Sequence, residues 1–485
     1  MVVYGQTLGL PSYDSEWRLL VSQTIPAELY FTHELGEVPV LVDVLVKALD
    51  GPNEGFIFRA AGTAERDDDQ PDPYGGVIYI YNDQYVRVMA PWGMNHNKAG
   101  GSIYTGDPPY WAGGNFQLSY SVMVKVRCWT KAMLPPPCFN MTGISMKVGS
   151  TLVNETFREI NHGINGYPSL VRVRTLLHDS IDIGWYSDGQ GAAQMNYNKL
   201  RVFGRTGGLK YAYNNESVRI WTSADNSSYL ETHIDGWGND RIYIGYPSTG
   251  SVEVRVWCNI ATLYEQRIEF GPSATLEQFE LLIPHLAWEP ESVPISITIE
   301  AMDGPNVGYR FIGSGSAFVN TPPDRFGTPC SYGGFVYAVS KTAIRFWRPD
   351  DASLGGTICI PNSMGDGTYA QSSLNGILDI KLWLHPTMRL SEQVKPIRLV
   401  CSSFILLKSD TAYNTTAMAT VTDMSNIVAC DEACRQHETC ITFTLYNNTC
   451  NMYNTSDQNL YYQLPGSQVW GLDNRSVKEI DVDEL

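Results

Sequence analysis

The chain has 485 residues, 43% of them apolar and 12% aromatic, and a formal net charge of −17. That length is too great for one core and suits about three or four domains, and the composition excludes wholesale disorder. The acidic balance excludes nucleic acid as a partner, because phosphate binding needs a basic surface, and no apolar run approaches the length of a membrane-spanning helix.

At the start, MVVYGQTLGL lacks the basic end and apolar run of a signal peptide, so residue 1 is expected to be a mature terminus or an internal point of a longer chain. Then a unit begins that the chain writes three times. Pro39, Pro168 and Pro294 open strand-like runs, VLVDVLV, SLVRVRT and ISITIEA. A glycine-led hairpin phrase follows in each: YGGVIYIYNDQYVRVMA at 74–90, TGGLKYAYNNESVRIWT at 206–222 and YGGFVYAVSKTAIRFWR at 332–348. Each unit closes on an alternating run ending in Trp129, Trp257 or Trp383. DGPN stands at Asp50 and Asp303, and the middle unit has HDSID instead. A period near 127 residues is too long for a solenoid and suits tandem domains.

Within the closing run VEVRVW, Val252, Val254 and Val256 share one face while Glu253 and Arg255 share the other, the period of a half-buried strand. Helical periodicity is nearly absent before residue 390. The fold class is therefore mainly β: three tandem antiparallel β-sandwich or jelly-roll-like domains, at 1–133, 139–262 and 263–390. A stiff linker, KAMLPPPCFNMTG, separates the first two.

Ten cysteines and eight N-x-Ser/Thr sequons, at Asn140, Asn154, Asn215, Asn226, Asn414, Asn447, Asn454 and Asn474, point to an extracellular, secreted glycoprotein. Cys128 and Cys138 flank the PPP of the linker closely enough to bridge, and Cys330 with Cys359 is a second expected pair. Cys258 and Cys401 then remain for an inter-domain or inter-chain link.

After residue 396 the pattern changes. In SNIVACDEACRQHETCITFTLYNNTCNMYN, Cys430 and Cys434 fall four apart, a spacing that would share one face of a helix. Cys440 is followed by Phe443, and Cys450 comes last. Four cysteines allow three pairings, and zinc is a rival that this unpaired spacing disfavours. The segment resembles the core of a PAN/apple domain over about 397–472. That resemblance implies a small disulfide-stapled α+β module with pairs Cys430–Cys450 and Cys434–Cys440. It also implies a binding role toward proteins or carbohydrates. An acidic tail, 473–485, ends the chain.

Candidate chemistry is sought first in polar residues that recur. Arg87, Arg219 and Arg345 stand 11 residues after the second glycine of each hairpin phrase. The last two share a sheet side with Trp221 and Trp347, where an arginine can stack or meet a carboxylate. Holding the sheet explains them more simply than holding a ligand. Tyr79, Tyr211 and Tyr337 are expected to be core aromatics with a hydroxyl partner. His33, His162 and His285 are one per unit, too few to converge on a metal, and are expected to be structural. Asp67, Asp68, Asp69 and Asp72 form a candidate calcium loop, with Asp107, Asp235 and Asp366 as scattered acids, although a solvated acidic loop is the simpler reading.

No GxSxG, HExxH or P-loop is present. The expected function is non-enzymatic: adhesion, or assembly of an extracellular coat, matrix or filament. Its partners would be further copies of itself or other extracellular glycoproteins, and no cofactor other than calcium is expected. A lectin-like alternative would bind glycans on Trp92, Trp111 and Trp237, which sit in glycine-rich loops. A third reading is a hydrolase working through loop carboxylates.

Overall fold

A computed structural model describes residues 6–63, 74–92, 100–108, 110–192, 207–225, 228–230, 237–238, 247–271, 279–283, 289–315, 330, 332–350 and 355–383, and the strand backbone of 404–413, 419–421, 442–446, 449–453 and 461–472. The chain divides into two compact units, Met1–Met388 and Arg389–Leu485. Both are built mainly of antiparallel strand pairs.

The first unit contains all three repeats. Repeat one supplies β1 (Glu28–Thr32), β2 (Leu41–Ala48), β3 (Ile57–Arg59), β4 (Ile78–Tyr81), β5 (Tyr85–Met89) and β6 (Ser121–Trp129). Repeat two supplies β7 (Phe139–Lys147), β8 (Phe157–Asn161), β9 (Leu170–Leu177), β10 (Tyr186–Asp188), β11 (Lys210–Tyr213), β12 (Ser217–Trp221) and β13 (Thr249–Trp257). Repeat three supplies β14 (Thr262–Phe270), β15 (Glu280–Leu282), β16 (Ile295–Ala301), β17 (Arg310–Ile312), β18 (Val336–Val339), β19 (Ala343–Pro349) and β20 (Gly376–Trp383). Their alternation sets which face is buried. In β6, Val122, Val124 and Val126 are wholly buried, and Val252, Val254 and Val256 repeat this in β13.

Hydrogen bonding runs across the repeat boundaries. One seven-stranded sheet has the order β7-β13-β9-β10-β4-β5-β1, so the hairpin of repeat one extends the sheet of repeat two. A second, β8-β12-β11-β17-β16-β20-β14, adds the hairpin of repeat two to repeat three. The third runs from Tyr13–Asp14 through β6-β2-β3-β18-β19 to Trp111–Gly113, and adds the hairpin of repeat three back to repeat one. The junctions share one register: Tyr81 faces Tyr186, Tyr213 faces Arg310 and Val339 faces Ile57. Three equivalent heterologous contacts that return to their start make a closed, pseudo-threefold arrangement.

The register also aligns the repeats. Leu41, Leu170 and Pro294 each lie opposite the closing tryptophan. Pro294 is thus the counterpart of Leu41 and Leu170, and sits two positions later than Pro39 and Pro168. The three tryptophans, Trp129, Trp257 and Trp383, meet in one buried cluster with Leu41 and Leu170. Next to this cluster the backbones nearly touch. A Cβ on Gly62 would lie 2.0 Å from the Asp188 carbonyl oxygen, one on Gly191 would lie 2.0 Å from that of Ile312, and one on Gly315 would lie 1.6 Å from that of Arg59. Only glycine permits that approach.

The disulfides correct one expectation. Cys138 bonds Cys258, and Cys330 bonds Cys359. Cys128 is a free, buried thiol. Its side chain packs in the core with Val126 and Val42, away from the linker, whereas Cys258 lies just beyond β13, the strand that β7 pairs after Cys138. Cys258 therefore fastens the two ends of repeat two and is not left for a link between chains.

The second unit holds a five-stranded sheet, in the order Phe404–Tyr413, Tyr461–Leu472, Thr442–Tyr446, Thr449–Tyr453 and Ala419–Val421. Phe443 and Cys450 fall on paired neighbouring strands. Cys401, Cys430, Cys434 and Cys440 lie outside the described residues.

Candidate functional site

The recurrent arginines sit where repeats join. Each lies on the second strand of its hairpin, opposite a glutamate-bearing neighbour strand. Arg87 bonds Glu28 at 2.7 Å, Arg219 bonds Glu159 at 3.3 Å and Arg345 bonds Glu280 at 3.2 Å. The other end of each guanidinium reaches the next repeat. Arg219 Nη1 donates to the Pro305 carbonyl at 2.7 Å and to Asn306 Oδ1 at 2.9 Å. Arg345 Nη1 does the same to Pro52 at 2.7 Å and Asn53 at 3.0 Å. Arg87 Nη1 meets Asp182 at 3.7 Å. DGPN is therefore the turn that the preceding hairpin grips. Where the middle repeat writes HDSID, a carboxylate replaces the amide. The gripped turns are themselves braced: Gln117 donates to the Asp50 carbonyl, Gln371 to that of Asp303, and Ser248 donates to Asp179.

The stacking partners differ from those expected. Arg219 lies over the rings of Tyr309 and Tyr369, at 4.1 and 3.8 Å, and Arg345 over Phe56 at 4.1 Å. These rings come from the neighbouring repeat. Trp221 is instead packed against Phe157 and Phe311, and Trp347 against Phe58. The indoles point into the cores of the sheets, so the rings that Arg219 and Arg345 cover are tyrosine and phenylalanine rings across the junction, while Arg87 lies over Tyr30 of its own repeat, at 5.7 Å.

A second polar group lies where all three repeats meet. A cavity of about 80 Å³ is bounded by Asp43, Arg59 and Tyr79 of repeat one, Arg172 and Asp188 of repeat two, and Tyr337 of repeat three. Asp43 holds Arg59 at 3.0 Å and Arg127 at 2.5 Å. Burial alone would raise the Asp43 pKa, but Arg59 and Arg127 outweigh it and hold the carboxyl below its usual range. Asp188 accepts the Tyr79 hydroxyl at 2.6 Å and the Tyr81 hydroxyl at 2.8 Å. Burial and this carboxylate push both phenols well above the ordinary value. Tyr211 donates to the Val171 carbonyl at 3.3 Å, and burial pushes Tyr337 up to about 12. Arg59 is pressed downward, first by burial and then by Arg127 and Arg172, against the pull of Asp43. Burial opposes the Arg172 cation too, but the neighbouring phenols and carboxylates raise its pKa.

Sequence reasoning found the arginines and tyrosines because they repeat. It missed Asp43, Arg59, Arg172 and Asp188 because they do not. In the shared register Arg59, Asp188 and Ile312 are equivalent. The usable signal was the glycine 21 residues after Leu41, Leu170 and Pro294 alike, which marks the point of closest approach.

Trp92, Trp111 and Trp237 are 5%, 2% and 0% exposed, which corrects their assignment as sugar platforms. Trp111 packs on Tyr332 of repeat three, and Trp237 packs on Tyr74. A ring buried in this way has no face for a sugar. His33 and His162 each donate from Nε2 to a hairpin-turn carbonyl, of Asn82 and Asn214, both at 3.2 Å. His285 lies outside the described residues, as do Asp67, Asp68, Asp69, Asp72 and Asp235. Asp107 accepts the Tyr104 hydroxyl, and Asp366 accepts the Thr368 amide. Among the described residues no three His, Cys, Asp or Glu side chains converge, and no helix is long and apolar enough to cross a membrane.

Asn140, Asn154 and Asn215 are all exposed. The sequons at Asn226, Asn414, Asn447, Asn454 and Asn474 lie outside the described side chains. Repeats one and three contain no sequon. No protein-family model matches the chain, and no curated protein matches it.

Proposed function

We propose that the protein is a secreted, glycosylated, non-enzymatic component of an extracellular coat, matrix or filament, acting by adhesion or assembly. The observation that carries this reading is the use made of the recurrent polar groups. Arg87, Arg219 and Arg345, each with its glutamate, bind one repeat to the next. An enzyme built by triplication would offer three copies of a polar cleft, and here the copied groups face each other across junctions. Two disulfides and exposed sequons fit an oxidising, glycosylating setting. The interlocked repeats serve as a stiff platform in place of a flexible string. The C-terminal module, which resembles a PAN/apple domain, serves as the docking element toward other glycoproteins or further copies of the chain.

The test is the state of the purified, secreted protein. Treatment with a peptide N-glycosidase is expected to lower its mass, and electron microscopy is expected to show ordered assemblies. A species that stays monomeric across salt and calcium concentrations would sink the assembly reading. Hydrolysis of a glycan panel by the same preparation would overturn the non-enzymatic one.

A further inference from the structure

We propose that the cavity where the three repeats meet binds a small inorganic anion between Arg59 and Arg172. Guanidinium nitrogens without partners gather there. Arg59 is 8% exposed, and its Nη1 and Nη2 atoms are buried without a hydrogen-bond partner, as is Nε of Arg172. Both arginines line the cavity.

The two carboxylates at the site are already engaged. Asp43 takes Nε of Arg59 and Nη2 of Arg127, and Asp188 takes two tyrosine hydroxyls. Leaving buried cationic N–H groups unmatched is costly, and two like charges sharing one cavity add repulsion. A bound anion relieves both. The cavity, about 80 Å³, far exceeds the roughly 10–15 Å³ that admits one water, so a halide or a small oxyanion fits. The surrounding backbone is copied three times, with Gly62, Gly191 and Gly315 at its closest contacts. The charged side chains are not copied: Arg59 has Asp188 and Ile312 as counterparts. A site drawing on all three repeats couples anion binding to closure of the whole unit.

Bromide is the probe. Crystals of the full chain soaked in sodium bromide are expected to show an anomalous peak within contact of Arg59 and Arg172. In solution, Tm is expected to be higher in bromide, chloride or phosphate than in gluconate of equal ionic strength, by about 2–4 °C. Arg172→Gln is expected to abolish that difference, and Arg59→Met likewise if it folds. Ordered waters in place of bromide, or a Tm equal in all four salts, would overturn the proposal. A bromide peak without the Tm difference also counts against it, as an adventitious ion only. Loss of folding by Arg59→Met leaves the wild-type peak and the Arg172→Gln protein to decide.

Discussion

Arg87 and Arg345 hold the same position in two repeats, yet their surroundings set different energies. Arg87 and Glu28 are 2% and 7% exposed at the side chain, whereas Arg345 and Glu280 are 17% and 36% exposed. Truncating one partner of a buried pair costs more than truncating one partner of a solvent-exposed pair, because the buried charge has less water to turn to. Arg87→Met is therefore expected to destabilise by about 3–5 kcal/mol. Arg345→Met keeps solvent access for Glu280 and should cost less, on the order of 1–2 kcal/mol. Urea denaturation midpoints check the ranking, and equal losses would refute it. The glycine contacts give a sharper contrast. Gly315→Ala drives a methyl against the Arg59 carbonyl, while Gly114→Ala meets nothing within 4 Å. The first is expected to cost more than about 4 kcal/mol and the second less than about 0.5 kcal/mol. Circular dichroism melts of the two variants read this directly.

Each hairpin is the element that crosses from one repeat to the next, and in two of them a histidine holds its turn. His162 Nε2 donates to the Asn214 carbonyl while Nδ1 accepts the Ile164 amide. Protonating Nδ1 breaks that second bond. His33 Nδ1 is buried without a partner, so a proton there is equally unwelcome. Burial holds both imidazoles below the ordinary 6.5. Between the folded pKa and 6.5 the unfolded chain binds more protons, so stability should fall as pH drops below about 6.5. Replacing both residues by glutamine should flatten that slope in denaturation midpoints taken from pH 7.5 to 5.5. Disulfides set the other element-scale prediction. Peptide mapping without reduction should recover Cys138–Cys258 and Cys330–Cys359 linked. Cys128 should resist alkylation until unfolding, because burial both hides the thiol and raises its pKa. A Cys128–Cys138 peptide would contradict this. The strands themselves were legible in the sequence, since alternation such as VEVRVW dictates one buried face. The pairing partner of Cys138 was not, because Cys258 lies 120 residues away and only strand register brings it close.

Across the molecule, triplication was plain in the sequence, but closure was not. A copied phrase shows that three units exist, and nothing in one unit's periodicity says that its hairpin leaves to join the next. The clue was the pairing of a recurrent arginine with a recurrent DGPN turn, two motifs with no reason to meet inside one sandwich. The axial charges were less legible still, because repeat comparison rewards sameness, and Asp43, Arg59, Arg172 and Asp188 are the places where the copies differ. Everything at this scale depends on repeat three returning to repeat one. Ile57 and Val339 face each other across that last junction, although 282 residues separate them in the chain. The double variant Ile57→Cys/Val339→Cys, expressed as the full chain and oxidised, puts a covalent bond within reach only if the ring closes. Closure predicts an intramolecular disulfide between the two introduced thiols in nearly every monomer, recovered by peptide mapping. Free thiols at both positions, or a link found only between chains, would show instead that the three repeats do not close.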